Sequence, residues 1–215
     1  MQTRVIFILA IVAAVQCSSM KMTCKTVRAF VDGHNARRLL VAQGRINNQP
    51  PASEMRKMIW DPELQAKAEQ WAAKNRFSHN PDKTIASGRF TTGENLYWFS
   101  TTDEKAVLNP EDVLQSWFEE HEHFEYKPLQ RSDFNSQNQI GHYTQMVWSD
   151  SIYVGCGISK TTSRKRGRTW HEYMVVCNYG PGGNYLNRTP YKTEKKPAKE
   201  LTCGIQDCSE LYGPT

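Results

Sequence analysis

The chain is 215 residues long, 39% hydrophobic and 11% aromatic, and includes six tryptophans. Such a composition excludes a disordered polymer and provides for one domain with a sizeable core, or two small ones. A formal net charge of +5 suits contact with acidic surfaces, but the basic excess is too weak for a nucleic-acid binder.

At the N-terminus, Arg4 precedes the apolar run VIFILAIVAAV, Val5 to Val15, and the small residues of QCSS follow. A charge, a short apolar run and small residues form the pattern of a secretory signal, so residues 1–19 are expected to be removed and the remainder secreted to the extracellular space. The run is too short to span a bilayer, and no other stretch approaches ~20 apolar residues, so no transmembrane segment is expected.

Export sets the reading of the cysteines. Of the six, Cys17 falls in the leader, which leaves the odd number of five: Cys24, Cys156, Cys177, Cys203 and Cys208. Cys156 and Cys177 flank the polar stretch TTSRKRGR, and a hairpin turning there sets them opposite each other for a disulfide. Cys203 and Cys208, in CGIQDC, can close a small loop in the tail. Cys24 is left over, as a free thiol, as an intermolecular bridge, or as a sign that one of these pairings is wrong.

From Thr26 to Ala42 the apolar positions Val27, Phe30, Val31, Leu39 and Leu40 recur at helical spacing, and Gly44 follows as a stop. After the Pro-rich NNQPPASE, Asp61 caps and Pro62 opens a second helix, with Leu64, Ala68, Trp71 and Ala72 on one side. Asn109 and Pro110 repeat the device for a third, whose stripe is Val113, Leu114, Trp117, His121 and Phe124. A short fourth helix contains His142 and Met146. Two strands follow, Tyr153 to Lys160 and Trp170 to Tyr179, and large apolar residues on both alternating sets of the second mean that both sheet faces are covered. The expected fold is α/β, a three-layer α/β/α sandwich about a small central antiparallel sheet, over residues 20–190. Residues 191–215 read as a solvated Lys/Pro-rich linker, YKTEKKPAKE, followed by the CGIQDC tail.

His34 and His171 fall within apolar periodic patterns, as packed core residues do, and His121 and His123 sit in the acidic run EEHEHFE. That leaves His79 in FSHN, Glu94 in TGENLYW, Glu120 in WFEE and His142 in GHYTQ, each at the end of an element or in a loop. Two imidazoles and two carboxylates suit zinc with an open water position, or a general acid/base pair. Spacing alone does not bring them together.

The stretches GHYTQMVWSDS and HEYMVVCNYGPGGNY occur in order, after HNARR, FSHN and GENLY. With these five motifs the sequence resembles the CAP superfamily, the cysteine-rich secretory, antigen 5 and pathogenesis-related 1 proteins, over about Val27 to Tyr191. Its secreted antigen 5-like (venom allergen-like, SCP-domain) branch looks most similar. The resemblance implies an α/β/α sandwich whose cleft holds His79, Glu94, Glu120 and His142. It implies that His79 and His142 are the pair that holds zinc in some relatives. Glu120 is matched in preference to Glu119, because the family's helix reads Trp, two residues, then Glu.

Established catalysis is not a general property of the superfamily, so the resemblance implies a non-enzymatic extracellular binding module, for a sterol or fatty acid or for a host or partner protein. A zinc-dependent hydrolase or protease using the same cleft is the alternative. The stretch LYWFSTTDEKAVL after Glu94 either supplies an aromatic lip to a lipid site or packs Tyr97, Trp98 and Phe99 against the sheet. In KTTSRKRGR, the cluster Lys160, Arg164, Lys165, Arg166 and Arg168 fits a heparin-like polyanion, or a solvated tip whose charges prevent edge pairing. Asn187, in NRT, is the one N-glycosylation sequon.

Overall fold

The computed structural model describes residues 17–193 and 195–213, with the backbone course alone for residues 17–19. Most of the expected leader therefore lies outside the described residues. Its last three residues, with Met20, form strand β1 (Cys17–Met20).

Helix α1 (Cys24–Ala42) begins where the Thr23 side chain accepts from the backbone N–H of Thr26, and it buries Val27, Phe30, Val31 and Val41. The chain leaves it through Gly44, whose φ of 64° is one that glycine adopts without strain. A two-residue strand, β2 (Ile59–Trp60), precedes α2 (Pro62–Ala72), where Asp61 caps the N–H of Leu64 and Pro62 occupies the first turn. Helix α3 (Pro110–Glu119) is capped by Asn109 in the same way. The stripe expected to run on to His121 and Phe124 instead breaks after Glu119, and Glu120–His123 tighten into a 3-10 turn. Phe124 still reaches the core, at 4% exposure, but from beyond the helix. Helix α4 (Gly141–Met146) carries His142, as expected.

The hairpin of β4 (Tyr153–Lys165) and β5 (Arg168–Gly180) is longer than the sequence suggests. Only Arg166 and Gly167, at φ 52° and 75°, form the turn, so most of TTSRKRGR is strand and not loop. Cys156 and Cys177 face each other in this ladder and are disulfide-bonded. A further strand, β3 (Gly93–Thr101), pairs with β5, so the stretch following Glu94 continues as strand. The antiparallel sheet runs β1-β4-β5-β3, and β2 joins the start of β4 in parallel.

Two cores make the three layers. On one face Ala68, Trp71 and Ala72 of α2 pack on Leu96, Met174 and Val176. Helix and sheet approach so closely there that a Cβ on Gly155 would lie 2.2 Å from the backbone nitrogen of Gln65. On the other face α1, α3 and α4 bring Phe30, Val31, Leu114, Trp117 and Tyr143 onto Val154, Ile158, Val175 and Tyr179. The segment after Tyr191 is exposed at Lys192, Thr193, Lys195, Lys196, Pro197, Lys199 and Glu200 and is tied to the domain at a few points. Tyr191 and Leu201 are buried, the Ala198 N–H donates to Ala42 O at 2.9 Å, and Trp60 N–H donates to Leu211 O at 2.7 Å. The tail loop is closed by a disulfide between Cys203 and Cys208.

Candidate functional site

His79 follows α2 in a segment tied back to that helix, where Trp71 Nε1 donates to Ser78 O at 2.8 Å. Glu94, near the start of β3, accepts at one oxygen, Oε1, from Asn80 N and bonds His79 Nδ1, both at 2.9 Å. The His79 side chain is 66% exposed and that of Glu94 only 10%.

The second pair is built differently. Glu120, at the end of α3, bonds His142 Nδ1 through Oε1 at 2.6 Å. Its Oε2 accepts from the backbone N–H groups of His142 (2.8 Å) and Tyr143 (3.0 Å). Those N–H groups open α4 and have no acceptor within the helix, so the carboxylate of Glu120 caps it. The His142 ring also stacks on Trp117, with centroids 5.9 Å apart, and Trp117 is itself fixed by Nε1 donating to Leu96 O at 3.1 Å.

An ionised carboxylate can only accept, so in the neutral form of either imidazole Nδ1 carries the hydrogen and Nε2 keeps a lone pair. This is the arrangement in which a carboxylate orients a histidine as a metal ligand.

His79, Glu94 and His142 line one cleft of about 330 Å3, together with Phe134, Ile140 and Asn184. Past His79 and Asn184 it continues into a limb of about 520 Å3 bordered by Lys83, Arg131 and Leu186. Glu120 stands behind His142, on a different surface with Glu119 and Glu122. Of the four residues matched from sequence, three face the cleft and one supports it. Among the described residues, no group of three or more His, Cys, Asp or Glu could hold a metal ion. A closed four-ligand centre is therefore not built among the described residues.

Sequence reasoning missed the residues behind the cleft. Asn95 Nδ2 donates to His142 O at 3.1 Å and to the Tyr179 hydroxyl at 3.0 Å. His34 is packed as expected, fully buried, with Nδ1 2.7 Å from Phe30 O, and burial lowers its pKa to about 3. Arg38 is fully buried as well, donating to the carbonyls of Arg56, Met146, Trp148 and Ser151 at 2.7–3.1 Å. Burial lowers its pKa to about 9. These are polar residues within apolar elements, and only the fold shows their partners. His171 is buried, with Nδ1 3.5 Å from Thr162 Oγ1.

The aromatic run after Glu94 is half-buried along β3 and lies outside the residues that line the cleft. Tyr97 lies against the larger core, Trp98 against the α2 side, and Phe99 6.0 Å from the Tyr173 ring. In the basic cluster, Lys165 bonds Glu172 at 2.5 Å and Lys160 Nζ lies over the Tyr173 ring. Arg164, Arg166 and Arg168 are exposed, and Lys165, Arg166, Arg168 and Trp170 border a hollow of about 610 Å3. Asn187 is exposed, and Cys24 is an exposed free cysteine. No helix of the described residues is long and apolar enough to cross a membrane.

The model of the CAP, cysteine-rich secretory protein, family matches residues 31–179. The chain is 35% identical to venom allergen 5 of Vespula pensylvanica over 155 residues, 72% of each chain. It is 34% identical to venom allergen 5 of Dolichovespula arenaria over 192 residues, which are 81% of this chain and 90% of the relative. Among solved structures, the Schistosoma mansoni venom allergen-like protein 4 superposes with a TM-score of 0.58 at 26% identity, over 79% of this chain and 95% of that one. NaASP2, whose structure is described with Zn2+, superposes with a TM-score of 0.60 at 26% identity, over 80% and 88%. This chain belongs to the CAP family and is venom allergen-like within it.

Proposed function

We propose that the protein is a secreted, non-enzymatic binding module whose cleft takes a divalent metal, zinc, between His79 and His142 and engages an extracellular partner. The observation that carries this reading is the pair of imidazoles, each bonded through Nδ1 to a carboxylate, on residues that line one cleft. Two protein ligands leave coordination positions for water or for a group of the partner. The zinc described with NaASP2 supports the choice of metal. Glu120 uses both oxygens on N–H donors, and Glu94 uses Oε1 on two while its Oε2 is buried, so neither carboxylate presents a free, exposed oxygen as the general base a hydrolase needs. The rim carries Phe134 and Leu186, each 40% exposed, over a polar floor, which suits a protein surface better than an enclosed sterol or fatty acid.

Native mass spectrometry of the secreted protein tests this reading. One zinc per chain, lost when His79 and His142 are both replaced by alanine, is the expected result. Zinc retained by that variant would overturn it. A co-purified lipid mass would favour the lipophilic ligand, and a zinc-dependent hydrolysis abolished by Glu94→Gln would favour the enzyme. N-terminal sequencing should begin at Ser18 or Met20 if the leader ends as read from the sequence, and deglycosylation should lower the mass if Asn187 is used.

A second reading is carried by Arg164, Arg166 and Arg168, which have no ion-pair partner among the described residues and stand beside Trp170. Such a tip suits a heparin-like polyanion. Elution from heparin at higher salt than from a simple cation exchanger would support it, and equal elution would reduce it to a solvated tip.

A further inference from the structure

Asn178 lies in β5 with Glu94 opposite on β3 and Gly155 opposite on β4. Residues paired across antiparallel strands project from the same face. Asn178 and Glu94 therefore share the face covered by α2, where backbone atoms of Asp61, Leu64 and Gln65 descend onto Gly155. Asn178 is fully buried, and neither its amide nitrogen nor its amide oxygen has a hydrogen-bond partner. The buried Oε2 of Glu94 has none either. Buried polar atoms in native proteins are satisfied by protein or by ordered water, and water occupies interior sites that offer it two or more polar partners.

We propose that Glu94 and Asn178 enclose a water-binding site, in which a buried water bridges the Asn178 amide to Glu94 Oε2, and that Asn178 is through it a positioning residue for His79. The water accepts from the amide N–H and donates to the carboxylate. Both oxygens of Glu94 are then fixed, Oε1 by Asn80 and His79 and Oε2 by the water. The His79 ring, two-thirds exposed, has little else to hold its orientation. The bearing of this site on zinc rests on the metal reading of the cleft; the water itself does not.

The test has three readouts on the full secreted chain. A high-resolution crystal structure of the metal-free protein should show a water within hydrogen-bond distance of Glu94 Oε2 and the Asn178 amide. A direct bond between the two side chains, with no water, would overturn the site. Nitrogen-15 shifts of the metal-free protein should show His79 as the Nδ1–H tautomer, a preference lost in Asn178→Leu and kept in Asn178→Ser, which retains a polar group and room for the water. An unchanged tautomer in Asn178→Leu would overturn the positioning role. Should that variant not fold, Asn178→Ser and the wild-type structure still decide: a mixed His79 tautomer in Asn178→Ser with the water retained would overturn it. Zinc affinity, measured by chelator competition, should fall about 10- to 100-fold in Asn178→Leu. A parent that binds no zinc would defeat the metal reading and leave the water site standing, whereas equal binding by parent and Asn178→Leu would defeat the positioning role alone.

Discussion

The Tyr179 hydroxyl lies 2.9 Å from Nε2 of His34, with both residues fully buried. The directions of the bonds around them are fixed by chemistry. Phe30 O can only accept, so His34 Nδ1 carries the hydrogen and Nε2 accepts from Tyr179. The hydroxyl oxygen in turn accepts from Asn95 Nδ2, whose other hydrogen goes to His142 O. Helix α1 is thereby joined through β5 and β3 to the backbone of a cleft histidine. Burial also pushes the Tyr179 phenol well above its usual range, which keeps it a donor.

Tyr179→Phe removes the middle of that chain and leaves the His34 lone pair and one Asn95 hydrogen buried without partners. Such groups cost about 1–3 kcal/mol. Urea unfolding should show a loss of that size, with the far-ultraviolet spectrum unchanged. A loss under about 0.5 kcal/mol, the level of a neutral surface change, would mean that water replaces the hydroxyl.

His34 should also make the fold acid-sensitive. Its ordinary pKa is near 6.5, and burial, the largest cause, lowers it to about 3 in the folded chain. The unfolded chain therefore binds a proton that the folded one refuses. The contribution to stability is complete above pH ~6.5 and is lost as pH falls toward about 3, by at most about 1.4 kcal/mol per pH unit. His34→Gln should remove up to one proton from the pH dependence of unfolding between those limits. Carboxylates titrate in both proteins, so the difference between the two curves isolates His34, and parallel curves would contradict its assignment as a neutral buried ring.

Much of this architecture was legible because its signals are local. Asp61-Pro62 and Asn109-Pro110 mark their helices, and Cys156 and Cys177 bracket their turn symmetrically. His79, Glu94, Glu120 and His142 stood out at element ends and in loops, but only resemblance placed them in one cleft, since no periodicity brings residues from four separate segments together. Asn95 and Asn178 were not legible. Each is a polar residue in a strand, and its role depends on register with a distant strand, Glu94 against Asn178 and Asn95 against Cys177. The break of α3 at Glu119 was hidden for a similar reason. Glu120 leaves the helix to cap α4, a tertiary demand that the heptad-like stripe does not record.

Arg38 gives a prediction that does not involve the cleft. It has no carboxylate within its hydrogen-bond set; its acceptors are the carbonyls of Arg56, of Met146, Trp148 and Ser149 around and after the end of α4, and of Ser151 just before β4. Arg38→Met would remove a donor from each of those carbonyls; Trp148 O keeps a second one, the Ser151 N–H at 3.1 Å. A destabilisation of at least about 1–3 kcal/mol is expected, the cost of leaving a buried acceptor unsatisfied. Arg38→Lys should recover only part of it, since an ammonium has three donors and lacks the planar fork. Equal stability of the lysine variant and the parent would show that charge alone suffices.

The two histidine–glutamate pairs should respond differently to truncation, because only one of them holds the fold together. His79 is 66% exposed, and its loss removes one hydrogen bond at the surface, so His79→Ala should change stability by no more than about 0.5 kcal/mol. Glu120 accepts from His142 N, Tyr143 N and His142 Nδ1. Glu120→Ala uncaps α4 and frees the His142 ring, and hydrogen bonds to a charged group are worth about 1.5–3 kcal/mol each. A stability loss of about 2–4 kcal/mol is expected, since water recovers part of the exposed contribution. Glu120→Gln keeps an oxygen that can accept from the α4 N–H groups, so it should recover most of that stability. It should not recover zinc affinity, because a neutral amide orients and polarises the imidazole less than a carboxylate does. Thermal unfolding and chelator competition on the three variants separate the effects. Equal destabilisation by His79→Ala and Glu120→Ala would refute the distinction between a pair that caps a helix and a pair that only faces the cleft.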